Sequence, residues 1–298
     1  MNAREVGFLL LGSTLGNPER RPLTTAQLRT LAVRVSAMTP PEDDRELTAA
    51  DLAALGYGSD MAERILHLLG DTQLLHRYLA RAKQVDCVPV TRVSPGYPAH
   101  MRRRLGLDSP SVLWAKGDLS ILQKPMISLV GSRDIHPANR EFAEKAGQEA
   151  ARQGYALVSG NARGADRIAQ DACLSAGGQV ISIVADELMK QAPRENVLFL
   201  SEEGYDCPFT SLRALSRNRV IHALGEKTLV AQCTLDKGGT WSGTVRNLKE
   251  NWSPVFCFRD GSEAALQMEQ LGAVLIGPEK LTNLNGLQKY TVNLFEKI

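Results

Sequence analysis

Two short runs carry the residue types that hold anions. Gly131-Ser132-Arg133 follows the apolar run Met126 to Val130, and Ser159-Gly160-Asn161-Ala162-Arg163-Gly164 follows Tyr155 to Val158. Each reads as a strand, a tight glycine loop and a helix start. Gly160 and Gly164 remove the Cβ atoms that would keep a ligand off the backbone, and the first N–H groups of a helix favour an anion. Arg163 adds a fixed charge suited to bidentate phosphate binding. Two such loops in neighbouring strand–helix units imply one anionic ligand lying across adjacent strand ends.

Two more runs fit the same chemistry. Arg217-Asn218-Arg219 enters an apolar helix, and Arg213 lies just before it. Arginine has the wrong sign for a helix N-terminus unless an anion offsets it. Lys237-Gly238-Gly239-Thr240 again joins an apolar run to a helix, with lysine in reach of a phosphate and glycines that let the backbone approach one. Pro193 and Asn196 are expected to border the same mouth. The Arg102-Arg103-Arg104 cluster reads as solvated surface.

Other chemistries lack their residues. The spacing of Gly160 and Gly164 is not G-x-G-x-x-G, which disfavours a dinucleotide site, and no Walker lysine motif occurs. His67, His76, His100, His136 and His222 have no metal-ligand spacing, and no nucleophile–base pair is evident. The expectation is therefore a binding site with no catalytic residue, no metal and no cofactor. The five cysteines are odd in number, widely spaced and free of CxxC pairs, which fits reduced thiols and a cytoplasmic protein. No run is apolar and long enough for a membrane span or signal peptide. Net charge is only +2, so positive charge for a nucleic-acid partner must be concentrated locally.

These loops need a scaffold. From Ile121 onward, apolar strand runs near 126–130, 155–159, 179–184, 198–201, 227–232, 254–258 and 273–276 alternate with helical patterns near 139–153, 164–176, 211–224, 240–250 and 262–271. Such alternation predicts a doubly wound, mostly parallel α/β sheet with ligands at the carboxyl ends of its strands. Residues 1–85 read as a small helical domain. Thr24-Thr25 and Thr48 cap two of its helices, and Thr39-Pro40-Pro41 ends the first. Residues 86–120 read as an extended, proline-punctuated lead-in of edge strands and turns that packs on the domain at 121–298.

Taken together, these residues resemble the DprA (Smf) family of DNA-processing proteins. Pro110-Ser111-Val112-Leu113-Trp114-Ala115-Lys116-Gly117-Asp118 is similar to its P-x-V-L-(Y/W)-x-K-G-D lead-in, and Val130-Gly131-Ser132-Arg133 to its first glycine loop. Ser159 to Asp166 matches S-G-x-A-R-G-x-D, Pro193 and Asn196 match P-x-x-N, and Arg217 to Ile221 matches R-N-R-I-I. The resemblance implies a Rossmann-like domain that binds single-stranded DNA, a homodimer, and handover of the strand to the recombinase RecA. It implies that Arg133 and Arg217 to Arg219 hold phosphates, while Gly131, Gly160 and Gly164 admit the strand.

The chain departs from the family where Gly238-Gly239-Thr240-Trp241 and Gln232 replace Ser-Gly-Ser/Thr-Leu and a glutamate. It keeps only Phe209 of the aromatic segment before R-N-R, and a C-terminal winged helix is not expected. The resulting expectation is a DNA-processing or recombination mediator in DNA uptake, RecA loading or phage defence. One alternative is a DprA-like sensor or antitoxin that takes a nucleotide-derived ligand or restrains a toxin. The other is a LOG-like phosphoribohydrolase, disfavoured because Val245 stands where that family's motif has its glutamate.

Overall fold

The computed structural model describes residues 1–38 and 46–288, so the helix stop expected at Thr39-Pro40-Pro41 lies outside the described residues. The chain begins with α1 (Ala3–Gly12), α2 (Thr25–Ser36), α3 (Ala49–Ala54), α4 (Ser59–Gly70) and α5 (Thr72–Gln84). Asn2, Thr24 and Thr48 each close a capping box with the residue three positions on, so local sequence sets these starts. Leu28, Leu31, Leu52, Ile65 and Leu68 form a core among α2, α3 and α4. The helices on either side do not stay apart. Leu9 and Leu10 of α1 and Leu75, Tyr78 and Ala82 of α5 join the core of the following sheet.

Next come β1 (Val88–Thr91), α6 (Ala99–Leu105) and β2 (Val112–Lys116). This segment, expected as a lead-in packed on the sheet, enters the sheet itself. β1 pairs antiparallel with β2, and β2 with β6. All five β2 residues are buried, so Val112 to Ala115 form an interior strand and not the edge strand expected. Arg102-Arg103-Arg104 lies in α6. Arg104 Nη1 donates to the carbonyls of Ala223 and Gly225, 2.9 and 2.6 Å away, so this arginine fixes another helix end.

The remainder alternates as predicted: β3 (Met126–Val130), α7 (Pro137–Arg152), β4 (Ala156–Ser159), α8 (Ala165–Ser175), β5 (Gln179–Ile183) and β6 (Val197–Ser201). Then follow α9 (Ser211–Ser216), α10 (Asn218–Leu224), β7 (Thr228–Val230), α11 (Gly238–Glu250), β8 (Val255–Phe258), α12 (Glu263–Gln270) and β9 (Val274–Ile276). The nine strands run in the order β1-β2-β6-β5-β4-β3-β7-β8-β9, and every pair from β6 to β9 is parallel. The winding reverses at β3, with β4 on one side and β7 on the other. Alternate strand residues feed two cores: Ile127, Leu129 and Leu157 face α7 and α8, while Met126, Val130 and Val158 face α10 and α11. The fold is α/β, doubly wound and Rossmann-like.

Two details of the packing are testable. Gly147 lies mid-helix in α7, where a Cβ would overlap the backbone oxygen of Ala169 in α8. Alanine gains about 1 kcal/mol of helix propensity there, but a backbone carbonyl cannot swing aside. Overpacking costs about 1–3 kcal/mol, so Gly147→Ala should lower the melting temperature. A higher one would refute the close approach.

The second is a buried polar cluster of His222, Thr228, Asn247 and Ser253. Burial lowers the His222 pKa to about 3. The unfolded chain takes up a proton as pH falls through the ordinary histidine value near ~6.5, and the folded chain does not. Stability should therefore drop from about pH 6.5 towards pH 3, by up to about 1.4 kcal/mol per pH unit from this group. Denaturant unfolding of wild type and His222→Leu at several pH values checks this, the variant losing less stability on acidification.

Candidate nucleic-acid interface

The loops that follow β3, β4 and β7 converge because these strands are neighbours and parallel. Ser132 N–H donates to the Gln232 carbonyl at 3.0 Å, and Ala165 N–H to the Ser132 carbonyl at 3.1 Å. Thr240 Oγ1 donates to the Gly131 carbonyl at 2.9 Å. Gln232 uses both ends of its amide. It accepts from His136 N–H at 2.8 Å and donates to the Asp134 carbonyl at 3.1 Å. A carboxylate could accept but not donate.

The glycines serve this convergence. A Cβ on Gly131 would overlap that of Ala165, and one on Gly164 would overlap the carbonyls of Ser132 and Arg133. Gly164 also has φ +84°, a left-handed value that only glycine adopts cheaply. A Cβ on Gly160 would overlap the Arg217 guanidinium. These glycines thus admit other parts of the protein. The start of α8 is likewise filled by the Ser132 carbonyl, not held open for an anion.

Beside them lies a cleft of about 620 Å³ at the β3/β7 reversal. Gly131, Ser132, Arg133, Arg217, Asn218, Lys237, Gly238, Gly239 and Thr240 all line it. Arg217 is the key group. The helix expected over 211–224 breaks there into α9 and α10, and the Arg217 carbonyl accepts from both Val220 and Ile221 N–H at 2.9 and 3.2 Å. The side chain is only 8% exposed, yet its Nε and Nη1 have no hydrogen-bond partner.

Asp166 provides the opposing charge, with Oδ2 accepting from Gly160 and Ala162 N–H at 3.1 and 3.2 Å. Burial pushes the Asp166 carboxyl up from its usual range and Arg217 pulls it back. Burial likewise lowers the Arg217 pKa, against the field of Asp166. An arginine stays charged regardless. A buried cation with free donors is what an anionic oxygen would satisfy.

Other candidates take other places. Asn218 Nδ2 donates to the Gly239 carbonyl at 2.9 Å and so shapes the loop before α11. That helix starts with no capping side chain and no acidic residue in its first turn, leaving its amides open to an anion. Arg133 and Lys237 are exposed at the rim. Arg163 is exposed and pairs with Asp134 at 2.7 Å in an adjoining groove that Arg133 shares. Ser159 is buried, its Oγ accepting from Gln170 at 2.6 Å.

Arg219 is not brought into the cleft. Its guanidinium pairs with half-buried Glu202 at 2.6 Å and donates to the Asp108 carbonyl at 2.9 Å. Two residues along a helix are about 200° apart, so Arg217 and Arg219 cannot face the same way. Arg213 is also structural, reaching the carbonyls of Ala185, Cys207 and Pro208 at 2.7–2.8 Å. Asn196 and Pro193 precede β6, and the Asn196 carbonyl accepts from Val180 near the start of β5, so they lie at the opposite end of the strands. Asp166 and His222 also line the cleft, beyond the anion-binding candidates that the sequence motifs single out. Asp166 closes the glycine motif, and His222 follows Asn218 by one helical turn. Among the described residues no group of three or more His, Cys, Asp or Glu could hold a metal ion, and no helix is long and apolar enough to cross a membrane.

Known proteins resemble this chain in sequence and fold. The DNA processing protein DprA of Bacillus subtilis is 30% identical over 171 residues, covering 53% of this chain and 56% of that protein. Protein Smf of Escherichia coli is 28% identical over 195 residues, covering 58% and 50%. The matched segment thus spans about half the length of these curated relatives. The X-ray structure of DprA from Streptococcus pneumoniae superposes with a TM-score of 0.72 at 22% identity, covering 97% of this chain and all of the other. The DNA processing protein A of Helicobacter pylori, whose structure is described for its single-stranded DNA binding mode, superposes with a TM-score of 0.56 at 24% identity, covering 66% and 94%. At these identities the superpositions establish the fold. The sequence profile of DNA recombination-mediator protein A matches residues 89–276, and the chain belongs to that family.

Proposed function

We propose that this chain is a non-enzymatic binder of single-stranded DNA whose phosphates lie in the cleft at the β3/β7 reversal. The observation that carries this reading is the buried Arg217 guanidinium with two unpartnered donors. Leaving a buried donor unsatisfied costs about 1–3 kcal/mol, and a phosphate oxygen removes that cost. Arg133 and Lys237 bring further cations, and the uncapped start of α11 brings amides. Phe209 and Leu215, 54% and 51% exposed at the mouth, suit unstacked bases, which a duplex does not present. Contacts of these kinds hold a backbone without reading sequence. The Helicobacter pylori relative's single-stranded DNA binding supports the same ligand. By the family resemblance the proposal extends to a homodimer, to delivery of the strand to RecA, and to a cytoplasmic setting.

Binding of labelled oligo-dT, titrated at several salt concentrations and against duplex, tests the reading. Three cations neutralising phosphates should give a slope of log K against log salt of about −2 for a single strand, at roughly 0.7 per phosphate. Arg217→Ala should weaken binding at least tenfold and flatten the slope by roughly 0.7. No binding at low salt would sink the proposal. Gly160→Ala supplies a second check. Its new Cβ pushes the Arg217 guanidinium away from buried Asp166, so the folded variant should melt at a lower temperature and bind oligo-dT about tenfold more weakly, as for a lost charged hydrogen bond. Full affinity in a folded Gly160→Ala protein would remove Arg217 from the site.

A further inference from the structure

The cleft floor holds a polar group outside every motif considered above. His222 is fully buried on α10, where Asn218, Ile221 and His222 turn one helical face towards the cleft. The hydrogen bonds behind the ring determine which nitrogen carries its proton. Ser253 N–H donates to Asn247 Oδ1 at 2.9 Å. A backbone amide only donates, so this bond identifies the oxygen of the Asn247 amide. Its Nδ2 therefore faces His222 Nδ1 and Ser253 Oγ, each 3.2 Å away. Nδ2 also only donates, so His222 Nδ1 accepts and the proton resides on Nε2. Thr228 Oγ1, 3.2 Å from the same Nδ1 and 2.8 Å from Ser253 Oγ, completes the cluster.

Nε2 has no partner. It faces Gly243 of α11, where even a Cβ would come within 3.4 Å, so the glycine keeps space in front of the ring. No charged group acts on the imidazole. Burial alone keeps it neutral far below physiological pH. The cleft thus holds a fixed, uncharged N–H donor alongside the free Nε and Nη1 of Arg217 and the open amides of α11.

We propose that His222 is a ligand-binding residue whose Nε2–H donates to an acceptor oxygen of the bound strand, either a phosphate oxygen or a base carbonyl. This rests on the reading of the cleft as a single-strand site. A neutral donor releases no counterion, so His222 contributes affinity without contributing to the salt slope. Arg217 contributes to both. Asn247 acts on binding through His222 as a positioning residue, because its amide selects the donating tautomer.

Nitrogen-15 NMR of the histidine rings, with oligo-dT titrations of wild type, His222→Leu and His222→Gln, tests this. The free protein should show the His222 proton on Nε2, and that resonance should shift when oligo-dT binds. His222→Leu should bind about five- to tenfold more weakly with an unchanged salt slope, the loss expected of one neutral hydrogen bond. His222→Gln, whose terminal amide keeps a donor near Nε2, should recover most of that. If the His222→Leu penalty persists on an abasic strand, the acceptor is a backbone oxygen. If it disappears, the acceptor is a base carbonyl. A proton on Nδ1, an Nε2 resonance unmoved by bound oligo-dT, or wild-type affinity in folded His222→Leu would each overturn the inference while leaving the strand site intact. If His222→Leu does not fold, the wild-type ring resonances decide. Failure of the wild type to bind oligo-dT would remove the strand site itself, and this inference with it.

Discussion

The cleft depends on one buried pair of opposite charges that do not exhaust each other. Asp166 uses Oδ2 to hold the amides of Gly160 and Ala162, so its carboxylate fixes the loop after β4. Arg217 reaches the same place from the break between α9 and α10 and keeps free donors. In a low-dielectric interior each charge needs the other, because either alone would carry a large desolvation cost. Two nearby arginines sharpen the contrast. Arg213 spends its donors on three carbonyls and on Ser201 Oγ, and Arg219 is paired with Glu202. Those two hold the domain together. Of the three, Arg217 is the one that keeps donors free.

The glycines belong to the same constraint. For an arginine to lie against the loop after β4, residue 160 must have no Cβ. For that loop to meet the one after β3, residues 131 and 164 must also be bare. The glycine spacing therefore encodes the close approach of one loop to another. Openness to an anion arises elsewhere, at the start of α11. Asp236 and Gly238 both take positive φ there, and no acidic residue lies in the first turn of the helix.

The parallel part of the sheet was legible because its strands are short apolar runs separated by helical periodicity, signals that need no knowledge of distant partners. β2 was not: its apolar run and flanking prolines suit an edge as well as an interior, and its burial depends on pairing with β6, about eighty residues away. The site was legible as a set of loops but not as a set of roles. Helical geometry separates Arg217, at the break between α9 and α10, from Arg219, two residues on in α10. Which arginine keeps free donors depends on Asp166, Glu202 and Asp108 arriving from other elements. Residue type says still less about His222, because its tautomer is set by Asn247 and Ser253, one helix and one loop away.

Net charge limits what the cleft can do by attraction alone. With +2 over the chain, long-range steering is weak, and the cations at the cleft are few. Exposed pairs such as Arg163 with Asp134 and Arg246 with Asp108 spend further positive charge on the protein's own carboxylates. On the proposed reading, a strand at this cleft draws much of its binding energy from short-range contacts: an unsatisfied guanidinium, the amides of a helix start and apolar side chains at the mouth. Such contacts survive salt better than a basic surface does, and they demand a backbone flexible enough to reach all of them at once. On that same reading, contacts that must be reached together favour a flexible single strand over a stiff duplex.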